Sequence, residues 1–368
     1  MLARPTPLNA STTARRKTLL NWGALVGSMM LAHPLKVVAW ELTGACNLRC
    51  THCRASAGAS SKDELTTDEA LFLIDSLAPH SPMLIMTGGE PLMRKDLFEL
   101  LAHAKRRGVR CVLSTNGTML TPSLAMRIRE NGVERVSISL DGATPSTHDH
   151  IRGRGAFEGA IEGARCALEA GLELQINTTF TRGNIHEKEA ILELARELGA
   201  VALHVFMLVP TGRGRGGEEM SPPQYEDTLR WLHEAALCHP EMEIRPTCAP
   251  HYVRIVSEME GIVPTRRMGC LGGITFCFIS RRGEVYPCGY LPLKAGSIRE
   301  SSIDEIWENS PLFARLREPE ALGGKCGECK YRVACGGCRA RAYALTGDVL
   351  GPEPFCIHTP IPVEERER

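Results

Sequence analysis

Three cysteines crowd into one short stretch, CNLRCTHC. Cys46, Cys50 and Cys53 are separated there by three and then two residues. Thiolates are soft ligands, suited to iron–sulfur clusters and to zinc. A closed zinc site or a fully protein-ligated cluster takes four protein ligands. Three thiols in one loop therefore fit a four-iron cluster with one iron left open to a small molecule. They also fit zinc with a distant fourth ligand, and His52 offers a nitrogen donor inside the loop. A second concentration of thiols lies in the C-terminal third: Cys270, Cys277, Cys288, Cys326, Cys329, Cys335, Cys338 and Cys356. A zinc ribbon is the alternative to clusters there. Cys111, Cys166 and Cys238 fall on strand or helix faces and read as buried apolar residues.

The first loop follows an apolar run, Val37 to Leu42, that reads as a buried strand. TGGEP, residues 87 to 91, follows a second run, Met83 to Met86. Further strands are expected at Val109–Ser114, Arg135–Leu140, Glu173–Thr179 and Val201–Val209. Helices between them start at Thr66 or Thr67, Lys95, Pro122, Phe157 and His186. Six strand–helix units in regular alternation predict a parallel α/β sheet. Chemistry in such sheets gathers at the C-terminal ends of the strands. Cys46, Gly88, Asn116, Asp141, Thr179 and Val209 all belong there. PTGRGRGGEEMSPP, residues 210 to 223, reads as a domain boundary. The expected organisation is an extension over 1–33, a sheet domain over 34–223, a helical bridge over 224–262 and a cysteine-rich domain over 263–368. Cross-links rather than a large apolar core are expected to hold the last of these together.

The chain has 368 residues, with 43 basic and 43 acidic side chains. Zero net charge gives no electrostatic basis for binding nucleic acid or an acidic membrane surface. Fifteen cysteines, seven of them at C-x2-C or C-x3-C spacings, point to metal and a reducing compartment, hence the cytoplasm. The apolar stretch Leu19–Ala32 is interrupted and too short for a membrane span of ~20 residues. Residues 1–33 read as a poorly ordered extension or short packing helix, and the true start is open because Met29 and Met30 precede the first strand.

The pairing of CNLRCTHC with GGE, each after a strand, resembles the radical S-adenosylmethionine (SAM) enzymes. The resemblance implies an open, partial (β/α)6 barrel. It implies that Cys46, Cys50 and Cys53 hold a [4Fe–4S] cluster whose open iron binds SAM. Gly88, Gly89 and Glu90 would contact the SAM amino group, with Asn116 and Ser139 further cofactor contacts. The C-terminal pattern is Cys270-x12-Gly283-x4-Cys288, then Cys326-x2-Cys329-x5-Cys335-x2-Cys338, then Cys356. It resembles the SPASM (twitch-type) domain, which carries auxiliary [4Fe–4S] clusters, but Cys335 and Cys338 stand two residues apart where the family has three. By that pattern Cys326, Cys329, Cys335 and Cys356 bind one cluster, and Cys270, Cys277, Cys288 and Cys338 form a second set.

Several stretches resemble one branch more closely, the AdoMet-dependent heme synthases. They include HDHIRG, LVPTGRG, TCAPHYVRI, CLGGITFCFIS and YPCGYLP. The implied reaction converts two propionates of Fe-coproporphyrin III to vinyls, giving heme b. Flavodoxin or ferredoxin would supply the electron for the first cluster. Arg152, Arg154, Arg213 and Arg215 are candidates for binding the substrate carboxylates, with at least two of the four expected to be ordinary solvated charges. His251 and Cys248 are candidates to approach the porphyrin iron. Related tetrapyrrole enzymes, acting on didecarboxysiroheme or forming heme d1, and a peptide-modifying SPASM maturase are the alternative enzymes. An iron–sulfur carrier or zinc-stabilised binding module is the non-enzyme alternative, and it leaves the open three-thiol loop paired with GGE unexplained.

Overall fold

The computed structural model describes residues 33–262 and 264–360. The expectation for residues 1–33 falls, apart from His33, outside them. From Leu35 onward the described chain is one compact unit.

Strand β1 (Val37–Glu41) pairs in parallel with β2 (Met83–Thr87). Next come β3 (Arg110–Thr115), β4 (Arg135–Ser139), β5 (Glu173–Phe180), β6 (Ala202–Met207) and β7 (Glu243–Thr247), each parallel to the one before. The sheet also continues on the other side of β1. There β8 (Phe276–Ile279) pairs in parallel with β1, followed by antiparallel β9 (Glu284–Tyr286) and β10 (Gly296–Ser297). The order is β10-β9-β8-β1-β2-β3-β4-β5-β6-β7, an open, parallel-centred α/β sheet.

Helices alternate with the strands because apolar residues recur at helical spacing between N-cap and stop signals. Helix α1 (Thr67–Leu77) opens on a capping box between Thr66 and Glu69 and buries Ala70, Leu73, Ile74 and Leu77. Such a cap contributes about 1 kcal/mol. Helices α2 (Leu97–Arg106), α3 (Pro122–Glu130), α4 (Pro145–Arg152), α5 (Ala156–Glu169) and α6 (Lys188–Glu197) follow, with proline in the first turn of α3 and α4, where its missing N–H costs nothing. Helix α4, which carries HDHIRG, has no counterpart in the sequence expectations. Helix α7 (Pro222–Cys238) starts with a second capping box, Ser221 to Gln224.

The expected bridge over 224–262 is not all helix. It contains α7, then β7 in the sheet, then α8 (Tyr252–Glu260). The boundaries expected at 223/224 and 262/263 thus fall within one sheet. The C-terminal region also has more core than expected. Its helices α9 (Ile303–Asn309) and α10 (Pro311–Arg317) place Ile303, Ile306, Trp307 and Phe313 in the main apolar core, with Cys277 and Val285. A smaller apolar cluster, including Val209, Leu291, Leu316, Ala340 and Leu350, sits under the remaining thiols. Short α11 (Gly324–Glu328) and α12 (Arg339–Thr346) complete the region.

Candidate functional site

Beyond β1 the backbone is laced into place before the first cysteine. Thr43 Oγ1 and Gly44 N donate to the Glu64 carboxylate at 2.9 and 2.8 Å. Gly58 N donates to Gly44 O, and Cys46 N to Gly58 O, both at 2.9 Å. The GGE turn is tied to the same residues: Gly89 N donates to Thr43 O and Glu90 N to Ala45 O, each at 2.7 Å. A Cβ at Gly89 would lie 2.2 Å from Ala45 O. Only glycine allows this approach, so the two sequence motifs form one backbone unit.

None of the fifteen cysteines forms a disulfide. Cys46 Sγ accepts from Leu48 N at 3.4 Å, Cys53 Sγ from Ala57 N at 3.5 Å, and Arg152 Nη1 stands 3.9 Å from Cys50 Sγ. Burial pushes the Cys46 and Cys50 thiols up, and the neighbouring sulfurs add repulsion. Three mutually repelling sulfurs with N–H donors suit a shared cationic centre. The loop fits a cluster with three protein ligands.

Beneath the loop lies a buried carboxylate that composition alone does not signal. Asp141 follows β4 and is fully buried. It accepts from Arg152 Nε at 2.6 Å and Thr179 N at 2.7 Å, and pairs with His52 Nε2 at 3.0 Å. Burial alone would raise its pKa, but Arg152 and His52 hold it well below the usual carboxylate range. Arg152 is therefore not a free cation awaiting substrate. It links Asp141 to Cys50. Arg213 is likewise committed: its N donates to Cys53 O at 3.0 Å, Nε to Cys50 O at 2.8 Å and Nη1 to Ala57 O at 2.9 Å. Two of the four candidate carboxylate binders thus brace the cluster loop, while the other two, Arg154 and Arg215, are exposed.

Glu90 is placed differently from a direct SAM contact. It is fully buried, and its carboxylate accepts from Thr115 Oγ1 at 2.7 Å, Asn116 N at 2.9 Å and Leu92 N at 3.1 Å. Burial raises its pKa against these donors. The side chain knits the ends of β2 and β3 together, with Gly88 and Gly89 half-buried beside it. Asn116 Nδ2 donates to Asn47 Oδ1, inside the cysteine loop, at 2.8 Å. Ser139 stands half-buried at the end of β4, two residues before Asp141.

The C-terminal thiols form two groups. Cys326, Cys329, Cys335 and Cys356 line one cavity, with His251, Arg254, Lys325 and Glu353. Glu353 N donates to Cys326 Sγ at 3.3 Å, Tyr331 N to Cys329 Sγ at 3.4 Å and Gly337 N to Cys335 Sγ at 3.4 Å. This donor set fits an iron–sulfur cluster. The second group differs from the expected one. Cys277 sits in β8 inside the main core, away from the other thiols, where burial alone pushes it up to about 12. Its place is taken by Cys248, whose thiol is raised by burial and by Cys338, Cys288 and Cys270. Cys248 has φ +60°, a left-handed conformation that costs an L-residue about 1–2 kcal/mol. Between the two groups lies a buried ion pair, Arg341–Glu353. Glu353 Oε2 accepts from Cys338 N at 2.7 Å, and Arg341 Nη2 donates to Cys248 O at 3.0 Å.

His251 and Cys248 thus face the C-terminal thiols rather than a free porphyrin pocket. Burial lowers the His251 pKa to about 4, leaving a neutral ring. Cys111 and Cys166 are buried as expected, whereas Cys238 is exposed at the end of α7. Among the described residues no three His, Cys, Asp or Glu side chains close tightly enough to hold a single metal ion. A four-iron cube spaces its thiolates more widely than a tetrahedral ion does. Among the described residues no helix is long and apolar enough to cross a membrane.

Comparison with known proteins agrees with this geometry. The Radical SAM superfamily model matches residues 40–198, and the SPASM iron-sulfur cluster-binding domain matches residues 270–330. An AdoMet-dependent heme synthase of Methanosarcina barkeri is 50% identical, covering 88% of this chain and 97% of that protein. One of Nitratidesulfovibrio vulgaris is 46% identical, covering 88% and 93%. The structure of Streptococcus suis SuiB bound to S-adenosylmethionine superposes with TM-score 0.72 at 15% identity, covering 94% of this chain and 82% of that one, a likeness of fold. With relatives this similar along nearly their whole length, the chain belongs to the AdoMet-dependent heme synthase family of radical SAM enzymes, which use SAM and [4Fe–4S] clusters.

Proposed function

We propose that this enzyme oxidatively decarboxylates two propionate side chains of Fe-coproporphyrin III, forming the vinyl groups of heme b. Cys46, Cys50 and Cys53 hold the first cluster, and the Gly88–Gly89 backbone borders the SAM site. When bound, that cluster and SAM supply a 5′-deoxyadenosyl radical able to abstract an unactivated hydrogen atom. Taken from the propionate carbon next to the ring, that hydrogen leaves a radical beside the carbon that bears the carboxylate. Loss of CO2 and one electron then gives the vinyl.

The chain's own residues hold this chemistry in place. Arg213 and Arg152 fix the cysteine loop from two sides. Asp141 neutralises the buried Arg152 charge and holds His52 in place beside it. Cys326, Cys329, Cys335 and Cys356 hold one auxiliary cluster, and Cys248, Cys270, Cys288 and Cys338 a second. An auxiliary cluster is a suitable acceptor for the electron released from substrate. A small electron carrier such as flavodoxin or ferredoxin would supply the electron that the first cluster needs.

The observation that carries this reading is the three-thiol loop hydrogen-bonded to the GGE turn at the strand ends, in a chain of this family. The test is anaerobic reconstitution with SAM, a reductant and one of three substrates: Fe-coproporphyrin III, didecarboxysiroheme or a control peptide. Mass spectrometry should find 5′-deoxyadenosine and a porphyrin lacking the elements of two formic acids only with the first. Turnover confined to either other substrate would transfer the assignment to it.

A further inference from the structure

The cavity lined by Cys326, Cys329, Cys335 and Cys356 has a feature that ligation by those four thiols does not account for. His251 lines it too and is only 1% exposed, yet neither ring nitrogen has a hydrogen-bond partner in the protein. A buried polar group left unpaired destabilises the fold unless something else satisfies it. The ring is not loosely placed. It stacks on Tyr225 with centroids 5.3 Å apart at 31°, and Tyr225 packs edge-on against Phe355, next to Cys356, at 5.5 Å. Its backbone carbonyl accepts from Arg254 N and Ile255 N at the start of α8. The imidazole is thus wedged with unused donor and acceptor capacity at the wall of a thiol-lined cavity.

The other sulfur partners there show what such a group can do. Backbone N–H groups already serve Cys326, Cys329 and Cys335, and Arg339 Nη2 stands 3.9 Å from Cys326 Sγ. Hydrogen bonds to cluster sulfurs are one of the means by which a protein sets a reduction potential. A donor favours the reduced, more negative cluster over the oxidised one.

We propose that His251 donates a ring N–H to the iron–sulfur cluster held by Cys326, Cys329, Cys335 and Cys356, and so raises that cluster's reduction potential. The inference rests on those four thiols binding a cluster, as proposed above. It makes His251 a positioning residue for an electron rather than a ligand of the porphyrin iron. The contact with Tyr225 holds the ring at the cavity wall.

The test uses full-length, anaerobically reconstituted protein. Iron content and EPR-monitored redox titrations are compared for the native chain, His251→Phe and His251→Gln. The Phe variant should keep its iron and show one cluster potential shifted downward, with the other clusters unchanged. The Gln variant, which keeps an N–H, should restore much of the shift. A folded Phe variant with every potential unchanged overturns the proposal. Loss of about four irons in both variants also overturns it, because His251 would then be a ligand. If the variants do not fold, 15N-histidine labelling of the native chain decides. Weak 15N hyperfine coupling to the reduced auxiliary cluster supports the hydrogen bond, and its absence refutes it. These readouts do not involve porphyrin. Normal vinyl formation without a potential shift would sink the role of His251 alone, and a shift without decarboxylation would sink the substrate reading alone.

Discussion

Cys248 and Cys277 offer a test in which two single substitutions have opposite expected outcomes. Cys277 is fully buried in β8 and is packed as a core residue. Replacing it with Ala removes one heavy atom from the core, so about 1 kcal/mol of stability should be lost. No iron should go with it. Cys248 stands among Cys270, Cys288 and Cys338 with φ +60°. Glycine adopts that conformation freely, so Cys248→Gly should relieve about 1 kcal/mol of backbone strain. If Cys248 only formed a turn, the glycine variant would gain stability. If it is a cluster ligand, about four irons per chain should be lost and stability should fall instead. Iron per chain after anaerobic reconstitution, the EPR signals of the reduced protein and urea unfolding report all three quantities. Cys248→Gly with full iron content, or Cys277→Ala with four irons missing, would refute the reading.

Three other perturbations follow from the packing. Gly89→Ala places a Cβ against Ala45 O, so the first cluster should be assembled poorly and SAM cleavage nearly abolished, as measured by 5′-deoxyadenosine release. Arg341→Leu leaves Glu353 buried and unpaired, which should cost about 3–5 kcal/mol in denaturant unfolding and loosen iron at both C-terminal groups. Asp141→Asn strands the Arg152 charge at a similar cost at pH 7. Because the Asp141 pKa is depressed, its stabilisation is fully present above about pH 4 and is lost as pH falls through the folded value. Native protein should therefore show no change from this group between pH 5 and 8, and the Asn variant should be destabilised throughout that range.

The six strands and their helices were legible because each combined an apolar run with a clear cap or stop, such as Thr66 before α1 and Gly108 after α2. The cluster loop and GGE were legible as spacing. What failed was reading side chains by type alone. Arg152 and Arg213 looked like free cations because loop position says nothing about Asp141 or the carbonyls of Cys50 and Ala57. Glu90 looked like a ligand because its partners, Thr115 and Asn116, lie on the next strand end. Cys277 was read as a member of a cysteine pattern, although Phe276, Phe278 and Ile279 mark a strand around it. Strand β7, EIRPT, carries charge and proline and lacks the apolar signature of the others. Cys248 belongs to no spaced motif, and only its thiol neighbours and left-handed backbone reveal it.

The pairing of β8 with β1 also bears on how the chain is made. Ribosomal synthesis releases β1 early, but its partner on that side emerges only after the whole β2–β7 half of the sheet. At about 5–20 residues per second, that leaves an unpaired, apolar sheet edge exposed for some tens of seconds. Such an edge is a template for pairing with another chain. A nascent chain stalled before Phe276 should therefore aggregate through β1 even with the first cluster loop complete, making late translation the vulnerable stage of this protein's life.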